Sequence, residues 1–466
     1  MKALLRRLAG TAVADFLRCV LLLSVAAVPQ VVAQDAAPRN PASDLKPTLP
    51  DTDAGRCVTA FLEMVADPTP ERVQAFETQY RSIKGQNEIA LNERISRARR
   101  LRDDMGALTM CDVLGSSENS ISISFNTDRG RSLIMEFVFD ADQGGKLDHI
   151  GIQMTTGSDA LIKPVPFTPD SRKEMVEEVA KAVAESYVYP ELGRKMADAV
   201  LEKCNAGEYD KIDNDASLAL RLTDDLRAIS HDRHLGVRPQ APRPREPDGP
   251  SARDIAGDNF AFREVQVFPG NIGYIRFDAF LQDPEAYTTA SAALAFVAHC
   301  DALIFDLRNN GGGAPESIRY ITSYLFDKPT HLNDMIDREG KIVEEYWTLE
   351  TVPGKRFAPD LPVFVLTSNY TFSGAEEFSY NLKNLKRATI VGETTGGGAH
   401  PVRGVRVNDR IVVGVPYMRA CNPISQKNWE GVGVEPDVKT SRDEALDQAL
   451  ELARQAIATR AANQPE

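Results

Sequence analysis

The sequence is poor in cysteine and tryptophan, with six and two of its 466 residues, and no two cysteines stand at CxxC spacing. That absence argues against zinc ribbons and thioredoxin-like redox chemistry. Basic residues fall short of acidic ones, 54 to 67, for a formal net charge of −13. A basic nucleic-acid face is therefore not expected, and anionic membranes are poor partners. No internal stretch is long and apolar enough to span a bilayer. What remains, 42% hydrophobic and 26% charged, is ordinary globular composition at a length that suits two or three domains.

The N-terminus departs from this average. Lys2, Arg6 and Arg7 precede an apolar run from Val20 to Val28, and Val31-Val32-Ala33 offers small or modest residues at the −3 and −1 positions. Residues 1–33 thus read as a secretory signal peptide ending at Ala33, and they predict export to the periplasm or the extracellular space. An uncleaved anchor is the competing reading; the shortness of the run and Pro29 favour cleavage. Removal of this segment would leave a net charge of −16. Five cysteines would stay: Cys57, Cys111, Cys204, Cys300 and Cys421. Export permits pairing, with Cys57 and Cys111 the first pair to expect, against the alternative of five free thiols.

Residues 34–54, rich in Ala, Pro and Asp, read as a flexible linker. Residues 55–160 open with helical spacing and close with alternating strands (Ser120 to Phe125, Leu133 to Phe139), a separate small α+β domain of open role. Residues 165–240 read as a helical subdomain, with Ser171 and Glu174 set as a capping box. From 255 to 466 buried strands alternate with helices: strands near 271–278, 302–307, 361–367 and 388–391, and helices near 315–325, 373–386 and 443–462. This βαβ rhythm predicts an α/β core with parallel pairing.

Two segments carry chemistry. In Thr371-Phe372-Ser373-Gly374-Ala375-Glu376 a buried strand has ended and Ser373 stands where a helix begins, near free N–H groups and the positive dipole end. A hydroxyl there is either a helix cap or a nucleophile beside an oxyanion site. It is not the nucleophile elbow of α/β-hydrolases, because Thr371 occupies the first glycine position. In Asp306-Leu307-Arg308-Asn309-Asn310-Gly311-Gly312-Gly313 three glycines follow a buried strand, at the carboxyl end where α/β proteins place their sites. No Gly-Lys-Ser/Thr follows, so a phosphate loop is excluded, and the same holds for Gly392–Gly398.

Taken in order, the blocks 306–313, 367–377, 388–398 and Glu430-Gly431-Val432-Gly433-Val434-Glu435-Pro436-Asp437 resemble the four signature blocks of the S41 peptidases. That family includes C-terminal processing proteases, the tricorn core protease and the interphotoreceptor retinoid-binding proteins. The helical region, down to its Asp-Arg-His-Leu ending, resembles the retinoid-binding-protein-like branch. The resemblance implies a ClpP/crotonase-like core, Ser373 as nucleophile, and an oxyanion hole from Gly374 with Gly311 or Gly312. The lysine of the processing-protease branch falls on Gly398, so a Ser–Lys dyad is disfavoured; Lys383 and Lys386 lie on the following helix, poorly placed to reach back. The tricorn-like branch implies His234 as general base and Glu430 as its support. Arg233 stands where that branch has a small hydroxyl residue, which leaves open a pairing of Glu430 with Arg233. His400 could line the cleft, and His231 reads as structural.

The implied protein is an exported serine peptidase acting on peptides or proteins, with no cofactor, no metal and no PDZ domain, since the thirty residues after His234 cannot hold one. A His231-x-x-His234 zinc pair lacks a recognisable third ligand. The alternative is a non-catalytic carrier of apolar ligands on the same fold.

Overall fold

The computed structural model describes residues 48–83, 86, 91–129, 132–155, 164–239 and 259–463. Residues 1–33, expected to be a signal peptide, most of the expected linker and the proline-rich stretch after residue 239 lie outside the described residues. No helix among the described residues is long and apolar enough to cross a membrane.

The fold is α/β with several sheets. Its centre is a six-stranded sheet in which β7 (Ile272–Phe277), β8 (Ala302–Asp306), β11 (Val363–Thr367), β12 (Thr389–Gly392) and β16 (Val438–Lys439) run parallel and β6 (Phe262–Phe268) closes one edge antiparallel. Strands β8 (ALIFD) and β11 (VFVLT) are buried along their whole length, because both faces of the sheet are covered. Ile275, Leu303, Phe305, Val363 and Val365 pack on one side with helices α7 (Pro284–Phe296), α8 (Pro315–Thr322) and α9 (Gly374–Asn384). Tyr274, Ile304, Phe364 and Leu366 pack on the other against Ala445, Ala449 and Ala453 of α10 (Ala445–Asn463). Alanine at those positions lets α10 lie close to the sheet.

The register brings three strand ends level. Leu366 of β11 stands beside Asp306, the last residue of β8, and Thr367 beside Gly392, the last of β12. The loops after these strands emerge side by side at the carboxyl edge, and they are the three glycine- and serine-bearing segments singled out above.

Helices α4 (Pro169–Ser186), α5 (Pro190–Asn205) and α6 (Asp215–Ser230) share one core with β5 (Gly236–Pro239) and β14 (Ile411–Pro416). Helix α4 starts earlier than the Ser171–Glu174 pattern predicts: Thr168 is the cap, in a reciprocal box with Ser171. Pro169 explains the shift, being pre-set for the first helical position. After α6, β5 pairs antiparallel with β14, itself paired with β13 (Val402–Arg406). This sheet ties the segment holding His234 to the segment following His400.

The N-terminal region sets helices α1 (Asp53–Ala66), α2 (Pro70–Tyr80) and α3 (Leu91–Met105) on an antiparallel sheet, β1 (Leu108–Ser116), β2 (Ser120–Thr127), β3 (Ser132–Asp140) and β4 (Lys146–Thr155). Phe61, Phe76, Phe125 and Phe137 fill its core. The expected Cys57–Cys111 bridge is not formed: all five cysteines are free thiols. Cys57 is buried in that core, whose packing pushes its thiol up to about 12, while Cys111 sits on β1 with its Sγ toward the Thr109 carbonyl.

Candidate active site

Ser373 is the residue before α9, and its backbone is in a conformation that L-residues rarely adopt, φ 53° and ψ −122°. Such geometry costs about 1–3 kcal/mol and persists only where the surroundings over-determine it. Here they do. The Ser373 N–H donates to Glu376 Oε2 at 2.7 Å, and the preceding Phe372 N–H donates to the Asn310 carbonyl at 3.2 Å. The Ser373 carbonyl accepts from the N–H groups of Glu376 and Glu377. Capping is therefore carried by backbone and by Glu376, and the hydroxyl is released to face His234 Nε2 at 3.3 Å.

His234 arrives from the other side. Helix α6 ends on His231 in the left-handed conformation, and Asp232 then accepts the His234 N–H at 2.9 Å through Oδ1. The imidazole lies on Phe372 with ring centroids 4.8 Å apart. Burial pushes its pKa down to about 4, with Asp232 acting in the opposite sense and His400 and Arg233 reinforcing the fall. At neutral pH it is an uncharged base.

Behind His234 stand two carboxylates. Asp232 Oδ1 is 3.9 Å from His234 Nδ1, and Asp232 Oδ2 accepts from His400 Nδ1 at 2.7 Å and from the Tyr187 hydroxyl at 3.1 Å. Burial works against the charge of Asp232, but the His400 bond and the nearby imidazoles outweigh it and hold the carboxyl below its usual range. Glu430 accepts the Ala399 N–H at 2.5 Å and is 3.5 Å from His400 Nδ1; burial raises its pKa, partly countered by His400. Ligand-type atoms of Asp232, His234 and Glu430 converge within 4.8 Å, a spacing a cation could bridge, although both carboxylates already accept hydrogen bonds. Nδ1 of His234 has no hydrogen-bond partner, and these carboxylates are the acceptors closest to hand. Arg233 does not pair with Glu430: its guanidinium lies 5.1 Å over the Phe372 ring and reaches the Gly396 carbonyl at 3.4 Å.

The glycine turn after β8 is built by Asn310. Its Nδ2 donates to the Phe277 carbonyl at 2.9 Å and its Oδ1 accepts the Gly312 N–H at 2.8 Å. Gly312, at φ 103°, passes so close to Ser373 that an added Cβ would meet Gly374 N at 2.6 Å. Its own N–H is thus committed. The Gly311 N–H makes only a long contact to Asp278, 3.4 Å, and the Gly374 N–H at the head of α9 has no acceptor among the described residues.

Gly398 holds the place where the processing-protease branch carries its lysine. A Cβ there would stand 2.6 Å from His234 Cε1 and 2.3 Å from Phe372 Cζ, so the histidine and its stacking partner fill the space a side chain would need. Lys383 is turned away, to Asp437 at 3.1 Å.

Two participants escaped the sequence reading. Asp232 could have been found from its place two residues before the histidine, where an Asx turn fixes the next backbone N–H. Glu376 could have been found as the fourth residue of the Ser-x-x-Glu pattern opening a helix.

These features accord with what the chain is similar to. The profile of peptidase family S41 matches residues 271–440, and that of the N-terminal domain of peptidase S41 in eukaryotic IRBP matches residues 168–260. The chain belongs to peptidase family S41. A tricorn-like protease C-terminal subunit of Sulfurisphaera tokodaii is 28% identical over 168 residues, 33% of this chain and 18% of that protein. The chloroplastic C-terminal processing peptidase of Tetradesmus obliquus is 29% identical over 175 residues, 36% of this chain and 35% of that protein. The matched part therefore spans about a third or less of these relatives' own lengths. Among solved structures, a photosystem II D1 C-terminal processing protease is similar at 18% identity and a TM-score of 0.38, over 59% of this chain and 94% of that one. Both family profiles lie outside the N-terminal α+β region, which ends before residue 160.

Proposed function

We propose that this member of family S41 is an exported serine peptidase that cleaves peptide bonds through an acyl-enzyme on Ser373. The observation that carries the reading is the Ser373 Oγ to His234 Nε2 approach of 3.3 Å beside a helix N-terminus whose first N–H, on Gly374, is unused. Export is supported by the charged and apolar layout of residues 1–33.

In this reading Ser373 Oγ attacks the scissile carbonyl as His234 Nε2 takes its proton. The oxyanion faces the Gly374 N–H and the Gly311 N–H, while Gly312 supplies the close approach between turn and nucleophile. The imidazolium, unfavourable in its buried setting, is stabilised by Asp232 and Glu430, with His400 bridging the two carboxylates. The 3.9 Å gap from His234 Nδ1 to Asp232 suits an apo site, in which catalytic hydrogen bonds are long and tighten with substrate. His234 then returns the proton to the leaving amine, and water releases the acyl group by the same route.

A fluorophosphonate probe should label the wild-type protein covalently at Ser373, and Ser373→Ala should abolish labelling and lower kcat by about 10⁴-fold or more. Absence of labelling in the wild type, or undiminished labelling of the variant, rejects the reading.

A further inference from the structure

Resting on the peptidase reading, we infer that the site selects substrates bearing a carboxylate near the scissile bond, read by Arg233 and Arg419. The chain carries a net charge of −13, yet neither of these arginines forms an ion pair among the described residues. Each instead lies on an aromatic ring that touches a histidine of the site. Arg233, exposed, is 5.1 Å over Phe372, and Phe372 stacks on His234. Arg419, half-buried on β15 (Met418–Cys421), is 5.6 Å over Tyr189, whose ring meets His400 edge-on at 5.6 Å. Stacking holds each guanidinium in place while leaving its N–H edge for a planar oxygen pair. Among the described residues, only the long bond from Arg233 to Gly396 O occupies any of those donors.

Nearby acids are already engaged. Asp232 serves His400, Tyr187 and the His234 backbone, and Glu430 serves Ala399 and His400. A cation next to a general base also opposes the imidazolium that catalysis must form, and Arg233 acts on His234 in that sense. A bound carboxylate removes this handicap when substrate is present, which gives the arrangement a catalytic as well as a binding rationale. Acidic side chains and a free chain terminus share this chemistry.

Binding by the Ser373→Ala protein separates the inference from catalysis. Four fluorescent peptides of one sequence are compared: a central Glu or Gln, each with a free or amidated C-terminus. The carboxylate-bearing peptide of at least one pair should bind about tenfold more tightly than its neutral partner, as expected for charge-assisted hydrogen bonds. The Glu/Gln pair reports side-chain reading, and the acid/amide pair reports terminal reading. In Ser373→Ala combined with Arg233→Gln and Arg419→Gln the preference should fall to within about twofold. Equal affinities across both pairs, or a preference that survives the arginine substitutions, overturns the inference. The same peptides competing against fluorophosphonate labelling of the wild type give a second measure free of any variant. Failure of labelling itself counts against the peptidase reading alone.

Discussion

Two glycine-rich loops leave the carboxyl edge of the same sheet, and they do opposite things with their glycines. In the turn after β8, glycine serves backbone proximity: Gly312 runs beneath the Ser373–Gly374 peptide in a conformation reserved for glycine, and the turn presents N–H groups. In the loop after β12, glycine serves side-chain proximity: Gly398 is bare so that His234 and Phe372 can occupy the volume above it. The second loop is held by one buried carboxylate, Glu376, whose Oε1 accepts from Gly397 N and Thr395 Oγ1 and whose Oε2 accepts from Gly398 N and Ser373 N. A run of three glycines thus has no single meaning; its role follows from what stands opposite it.

The contrast can be broken first at Gly312. Gly312→Ala places a Cβ 2.6 Å from Gly374 N and 2.7 Å from the Phe372 carbonyl at a positive φ, and should lower kcat/KM by about 10²–10³-fold by displacing the Gly374 N–H, as loss of an oxyanion donor does. Gly311, where an added Cβ meets nothing within 4 Å, is its control: thermal melting of Gly311→Ala should stay close to wild type while that of Gly312→Ala falls. Next, Gly398→Ala should displace the His234 ring and reduce fluorophosphonate labelling about 10²-fold, with an intact circular dichroism spectrum. An effect below threefold would mean that the imidazole has room to spare.

Glu376→Gln comes third. Both carboxylate oxygens receive backbone N–H groups, so an amide NH₂ at either one opposes a donor, a mismatch worth about 1–3 kcal/mol of stability. Burial pushes Glu376 up to about 7 from 4.5. Between these values the folded protein holds a proton that the unfolded chain has lost, so its favourable contribution is full below pH 4.5 and disappears as pH rises through 7. Across pH 4.5 to 7.5, denaturant melts should show wild type losing stability relative to Glu376→Gln by up to about 1.4 kcal/mol per pH unit, the slope of one proton. The acid limb of kcat/KM, which reports the free enzyme, should inflect near pH 4 rather than 6.5, since burial lowers His234. Asp232→Asn, which removes a charge that raises this pKa, should move the limb lower still.

The smallest effect is expected at Arg97. From α3 of the N-terminal region it donates to Asn309 Oδ1 at 2.9 Å and lies 4.6 Å over the Tyr370 ring, so it touches the β8 turn and the Ser373 loop together. Arg97→Ala should cut kcat/KM about threefold to tenfold through looser positioning; no change would leave the N-terminal region without influence on the site.

Much of the fold was legible because the inner strands β8 and β11 of the central sheet are apolar on both faces and the loops after them are marked by Gly, Ser and Asn. The core strands near 302–307 and 361–367 and the helix after Ser373 lie within a residue or two of their expected bounds. Asp232 and Glu376 were less legible, since their importance depends on groups 168 and 22 residues away, His400 and Gly398. The disulfide expectation failed for a related reason: an even-looking pair in one region says nothing about whether two Cβ atoms meet, and Cys57 faces a core while Cys111 lies on a strand.

The order of residues by itself determined that a serine would open a helix at the carboxyl edge of a buried parallel sheet, with a glycine turn alongside, and that no lysine would stand at 398. It could not decide whether that serine is a cap or a nucleophile. Tertiary structure supplies what the proposed nucleophile needs: Glu376 and the backbone satisfy the cap while β5 pairing with β14 carries His234, 139 residues away, to within 3.3 Å of the hydroxyl. Local sequence sets which groups are offered; only long-range packing sets what each one faces.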